Sequence, residues 1–211
     1  MILLTLPGNE LRAALSSLHS GTSPGTAIVS TCPVVPLELM RSLAGSGPAL
    51  FRAVIPPGTL PGEGVVALTP ESGTDAEVIE RVRASLAPVG AVEMVSEEAL
   101  DAVAAVGLGG AGLMCAALEG LEEGAVREGL PRDTARSFAH QTALATALLL
   151  RDHPGSPADL KDQVASPGGT TIVALAALED AGVRGAFLRA VQRSALKLRA
   201  RRDAACPGVI E

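Results

Sequence analysis

Tryptophan and tyrosine are absent from this 211-residue chain, and it has only three phenylalanines. A row of aromatic rings on which unpaired bases could stack is therefore excluded. An excess of positive charge is missing too. Seventeen basic against 23 acidic residues leave a net charge of −6, the wrong sign for gripping a phosphate backbone. The three cysteines (Cys32, Cys115, Cys206) form no CxxC pair. That argues against a disulfide scaffold or a structural zinc site and fits a reducing cytoplasm. Charged residues make up 19%, below the roughly 25% of an average domain, while 47% apolar residues are too many for a disordered chain. The core must be built from Ala, Leu and Val, which suits closely packed helices.

A membrane partner is not expected either. The opening MILLTLPGNELRAAL has no basic leader, and Pro7 and Gly8 break its apolar run, so it does not read as a signal peptide. The most apolar later window, Ala139 to Leu150, carries His140 and Gln141 and is too short to span a bilayer. The one basic run, Arg189 through Arg193, Lys197, Arg199, Arg201 and Arg202, reads as a solvated helix end whose cations complement the helix dipole.

Short apolar runs alternate with helical patterns over the first 95 residues. Ile2–Leu6, Thr26–Ser30, Ala53–Ile55, Val65–Leu68 and Val92–Val95 are strand candidates; Glu10–Leu18, Leu37–Leu43 and Asp75–Leu86 are helix candidates. In the last of these, Val78, Ile79, Val82 and Leu86 share one face. Alternation of this kind predicts an α/β layer with parallel pairing, and Pro56 to Gly64 reads as a loop. From Ser96 the strand signals vanish. Helices are predicted over Glu97–Val106, Leu113–Glu128, Arg132–Asp152, Thr170–Ala181 and Val183–Arg202, with Pro131 and Pro157 in first turns. The expected organisation is a Rossmann-like α/β domain at 1–95 and an all-helical domain at 96–211. Several of these helices are apolar on more than one face, which in a soluble chain points to a second subunit.

The stretch richest in chemistry is LKDQVASPGGTTI, residues 160–172. Ser166-Pro-Gly-Gly169 is a tight turn, and Thr170-Thr171 opens the next helix. A helix start preceded by two glycines is a ready anion site, with hydroxyls as added donors; its plain reading is a helix connector with threonine caps. Other ionisable residues have plain readings. His140 is expected as a buried, hydrogen-bonded core histidine and His153 as a helix-end cation. Glu119 and Glu123 are expected on a solvated or interface face, and Cys115 as a buried thiol. No spacing supports a metal.

The run LKDQVASPGGTTIVALAALEDAGVRGAFLRAV resembles the signature of pyrroline-5-carboxylate reductases, which reduce a cyclic imine with NAD(P)H. The resemblance extends through Glu119–Glu123, Gly129–Arg132, Gln141-Thr142 and Asp101–Val103, and more weakly to Gly62–Gly64 and Leu3–Leu11. It implies a truncated Rossmann-like layer at 1–95 followed by an interleaved helical dimerisation and ligand-binding domain. It also implies that Ser166 and the backbone of Gly168 and Gly169 through Thr171 hold a substrate carboxylate, with Thr171 donating to the substrate nitrogen. Thr170, Gln163 and Glu119 complete the candidate site. The chain departs from the family pattern elsewhere. It has no GxGxxG. The family's "SGSGPA" turn reads Gly107-Leu-Gly-Gly-Ala-Gly112. The cofactor-facing "MPNTP" and "AVKP" turns read Ile55-Pro-Pro-Gly-Thr59 and Thr5-Leu-Pro-Gly8, without the Asn and the Lys.

These departures lead to the expectation of a non-redox enzyme without NAD(P)H. It would cyclise, isomerise or condense a small amine, imine or carboxylate, with Thr170 and Thr171 as oxyanion-type donors. No cofactor, metal or nucleic acid is expected. A homodimer and a cytoplasmic location are. The alternatives are a pseudoenzyme pairing with a full-length reductase and a residual pyrroline-5-carboxylate reductase.

Overall fold

The computed structural model describes residues 1–19, 21–23, 25–57 and 62–205. Its order is β1 (Ile2–Leu4), α1 (Gly8–Leu18), β2 (Ala27–Ser30), α2 (Leu37–Ala44), β3 (Ala49–Val54), β4 (Gly64–Pro70), α3 (Ala76–Leu86) and β5 (Gly90–Met94). Five helices follow: α4 (Leu100–Arg127), α5 (Arg132–Asp152), α6 (Pro157–Val164), α7 (Thr170–Asp180) and α8 (Val183–Ala205). A Rossmann-like sheet layer followed by a helical region is thus the observed class. Two compact units can be distinguished. One is residues 1–110 with the segment from Val191 onward, and the other is Ala111–Ala190.

The five strands form one sheet in the order β1-β2-β3-β4-β5. Strand residues alternate between two cores, as a sheet covered on both faces requires. Ile28 and Leu50 pack with Leu11, Leu15 and Met40 of α1 and α2. Their neighbours Val29 and Phe51 pack with Val66, Leu68, Val82 and Leu86 on the α3 side. The i, i+4 pairs Leu11/Leu15 and Val82/Leu86 are what make α1 and α3 amphipathic. Asp75 starts α3 by accepting from the Glu77 amide at 2.8 Å.

Parallel pairing throughout is corrected at one place: β3 and β4 are antiparallel. Only residues 55–63 separate them, too few for the crossover that a parallel return needs. The loop expected at Pro56–Gly64 is the reason. Its residues 58–61 lie outside the described residues, as does Cys206.

The break expected at Gly107–Gly112 is also corrected, because α4 runs through it without interruption. Four glycines in a helix interior cost roughly 1 kcal/mol each, so tertiary contact has overridden propensity. A Cβ on Gly107 would come within 3.3 Å of the Pro56 ring. The N-terminal turns of α4 are anchored by Leu100 and Ala104, which are buried against Val54 and Ala67. Among the described residues, Glu97–Arg127 is the one helix long and apolar enough to cross a membrane, by length and composition. The window singled out by sequence lies instead in α5.

Candidate functional site

The SPGGTT turn joins α6 to α7. A capping box starts α6: the Asp159 amide donates to Ser156 Oγ at 3.3 Å, and Asp159 Oδ2 accepts from the Ser156 amide at 2.6 Å. The Ser156 hydroxyl also donates to Asp159 Oδ2 at 2.8 Å, and this bond first, then the one from the Ser156 amide, holds the Asp159 carboxyl below the usual range. Beyond Val164 the Gly169 amide closes the turn onto the Ser166 carbonyl at 3.0 Å. Gly168 sits at φ +68°, where a side chain is strained. Gly169 is the N-cap of α7, and no side chain caps it. The first amides of α7 therefore have no intrahelical acceptor. A Cβ on Gly169 would fall 2.3 Å from Ser166 Oγ, so that hydroxyl lies folded over the helix start. Thr171 is half-buried and Thr170 exposed. Backbone donors, the Ser166 hydroxyl and two threonines thus occupy one helix start, a chemistry suited to a carboxylate.

The two other predicted residues line separate cavities. Gln163 faces a cavity of about 620 Å³ with Leu148, Leu149, His153 and Leu160. Glu119 faces a groove of about 580 Å³ with Cys115, Arg132, Arg136 and His140. Cys115 and His140 are exposed in this chain, correcting the expectation that both are buried. The periodicity of α4 and α5 is too apolar to reveal which face is covered.

Of the charged residues in this groove, sequence reasoning singled out neither Arg136 nor the half-buried Glu122. Glu122 takes hydrogen bonds from Arg132 at 3.1 Å and Arg136 at 3.4 Å, and Arg132 also reaches Glu123 at 2.7 Å. Desolvation pushes the Glu122 carboxyl up, but the two guanidinium groups outweigh it and hold it below the usual range. Arg132 belongs to the Gly129–Arg132 run, in which Gly129 turns the chain at φ +98°. The arginine of that run therefore fastens the α4–α5 hairpin.

In the sheet unit, a cavity of about 650 Å³ opens at the carboxyl ends of β1 and β2. Its walls include Leu6, Gly8, Thr31, Cys32, Pro33 and Arg201. The start of α1 there has Pro7 as N-cap and no side-chain cap. Carboxyl strand ends are where open α/β sheets bind ligands. The ring end of a nicotinamide dinucleotide could be held by Thr5–Gly8 and Thr31–Val34. Among the described residues, no glycine-rich turn follows a strand to cradle its pyrophosphate.

A family model described as "Pyrroline-5-carboxylate reductase dimerisation" matches residues 97–201. The chain is 32% identical over 186 residues to a pyrroline-5-carboxylate reductase of Corynebacterium melassecola, covering 88% of this chain and 69% of that one. It is 33% identical over 192 residues to that of Synechocystis sp., covering 91% and 71%. The Coxiella burnetii reductase structure superposes with a TM-score of 0.86 at 24% identity over 94% of this chain and 74% of that one. The Plasmodium falciparum enzyme, solved with NADP bound, gives 0.85 at 20% identity over 95% and 81%. These findings overturn the non-redox expectation. That expectation rested on altered turns and an absent fingerprint, yet the match to named reductases runs through the sheet layer as well as the helices. With the SPGGTT turn intact on an uncapped helix start, the chain belongs to the pyrroline-5-carboxylate reductase family.

Proposed function

We propose that this chain takes part in the reduction of pyrroline-5-carboxylate, the reaction for which its relatives are named. The observation that carries the reading is the uncapped start of α7, with Ser166 Oγ folded over Gly169 and Thr171 as the second residue of the helix. In this reading the substrate carboxylate takes the free amides of Thr170 and Thr171 and the Ser166 hydroxyl, charge-assisted bonds of the stronger kind. Thr171 donates to the ring nitrogen, which must gain a proton as the C=N bond is reduced. Thr5–Gly8 and Thr31–Val34 would hold the ring end of a reduced nicotinamide dinucleotide, which would supply the hydride for the imine carbon.

The same reading takes the working form as a homodimer. Its support is the dimerisation-family match and the large apolar side chains left exposed on one chain, among them Phe138 at 67% and Val173 at 69%. A cytoplasmic location belongs with it, in keeping with free Cys32 and Cys115.

The test is imine-dependent oxidation of NADH and NADPH, followed by the loss of nicotinamide absorbance. The expected result is turnover that saturates in the imine and falls in Thr171→Val. Folded, dimeric protein that oxidises neither nucleotide in the presence of the imine would overturn the proposal.

A further inference from the structure

Three buried polar side chains stand in register across the three central strands of the sheet. Ser30 of β2 pairs with Arg52 of β3, and Arg52 with Thr69 of β4. All three are buried, at 0%, 2% and 4% exposure. Each holds a segment that leaves a strand. Ser30 Oγ accepts from the Cys32 amide at 3.2 Å. Thr69 Oγ1 donates to the Val95 carbonyl at 2.9 Å. Arg52 donates through Nη2 to the Pro33 carbonyl at 2.6 Å and through Nη1 to Glu97 Oε1 at 2.8 Å. That same Glu97 oxygen accepts from the Leu37 amide at 2.8 Å, at the start of α2.

A guanidinium in a sheet core is not explained by stability alone. Desolvating it is costly, and an apolar residue of similar volume is often as good or better for folding. Arg52 Nε even lacks a hydrogen-bond partner. What an apolar residue cannot do is hold the Pro33 carbonyl and Glu97 at once. Pro33, with Cys32 on the Ser30 bond, forms one wall of the cavity at the carboxyl ends of β1 and β2.

We propose that Arg52 is a positioning residue: through the Pro33 carbonyl and Glu97 it holds the segment 31–36, whose residues Thr31–Val34 wall the strand-end cavity, and so governs affinity for a dinucleotide rather than for the imine. This rests on the reductase reading. The imine is assigned to α7, whereas Arg52 and its partners all belong to the sheet unit.

The experiment compares wild type, Arg52→Met, Arg52→Lys and Glu97→Gln. Three readouts are taken: NADPH affinity by calorimetry, the KM values of both substrates, and amide exchange of residues 31–36 in the ligand-free protein. Arg52→Met should weaken NADPH binding by about three- to tenfold, the scale of one hydrogen bond's net worth. It should also speed exchange at 31–36 and leave the imine KM unchanged. Arg52→Lys, able to reach one partner, should fall between. Unchanged NADPH affinity together with unchanged exchange at 31–36 would overturn the proposal, as would an equal rise in imine KM. Should Arg52→Met fail to fold, Glu97→Gln, which keeps the geometry and removes the charge, decides on the same readouts. A wild type that neither binds NADPH nor reduces the imine sinks the reductase reading instead, and ligand-free exchange then decides the positioning role alone.

Discussion

Asp101, 2% exposed at the start of α4, accepts a hydrogen bond at 2.7 Å from Arg202 near the end of α8. Arg199 stands 3.6 Å from the same carboxylate oxygen. The basic run is thus not simply a solvated helix end, because two of its cations, Arg199 and Arg202, face a buried acid far from them in sequence. Removing either partner has different consequences. Arg202→Met leaves the carboxylate buried with Arg199 alone and should cost about 2 kcal/mol, less than the 3–5 of a fully orphaned buried charge. Asp101→Asn should cost about 1 kcal/mol, since both arginines can return to water. Urea midpoints measure the order; a larger loss for Asp101→Asn would refute it.

Thr171 and Thr170 should not be equivalent. Thr171→Val keeps the shape of the side chain but deletes a donor to the bound substrate. A drop in kcat/KM for the imine of about one to two decades is expected, from the 1.5–3 kcal/mol of a hydrogen bond to a charged or developing centre. Thr170 is exposed, and its valine variant should stay much closer to wild type. Equal and negligible effects would move the site away from α7.

The two glycines of the turn fail for different reasons. Gly168→Ala places a side chain at φ +68° and should destabilise by roughly 1–2 kcal/mol. Gly169→Ala puts a Cβ where Ser166 Oγ lies and should displace that hydroxyl at little cost in stability. Thermal melts should therefore fall for the first variant. Imine KM should rise for the second, and an unchanged KM there would contradict a carboxylate role for Ser166.

Asp159 gives the expected pH dependence. Its folded carboxyl titrates below the ordinary aspartate value, so the cap on α6 contributes fully above that ordinary value and is lost as pH falls through the depressed one. Amide protection across Pro157–Val164 should persist through the usual carboxylate range and collapse only at more acid pH. Asp159→Asn should flatten that dependence. A carboxyl resonance titrating at or above the ordinary value would contradict the cap.

Val173, 69% exposed on α7, tests the dimer. Val173→Glu should shift sedimentation from dimer to monomer at micromolar protein. A wild type that sediments as a monomer at every concentration would refute the homodimer directly.

Local pattern alone determined much of this protein. The period-3.6 spacing of Leu11 with Leu15 and of Val82 with Leu86 located α1 and α3, and the apolar runs located the strands, because each such element must bury one face or both. SPGGTT was legible for the same reason: a glycine turn before a threonine start is a statement about backbone geometry within six residues. What the tertiary structure decided is everything that depends on partners far along the chain. The antiparallel return of β4 follows from loop closure. The continuity of α4 through four glycines goes with packing against Pro56. Arg52 lies just before the strand expected at Ala53–Ile55; its meaning comes from Pro33 and Glu97, 19 and 45 positions away. A buried charge is tolerable only when its counter-groups arrive from elsewhere in the fold, and no local periodicity encodes where they come from.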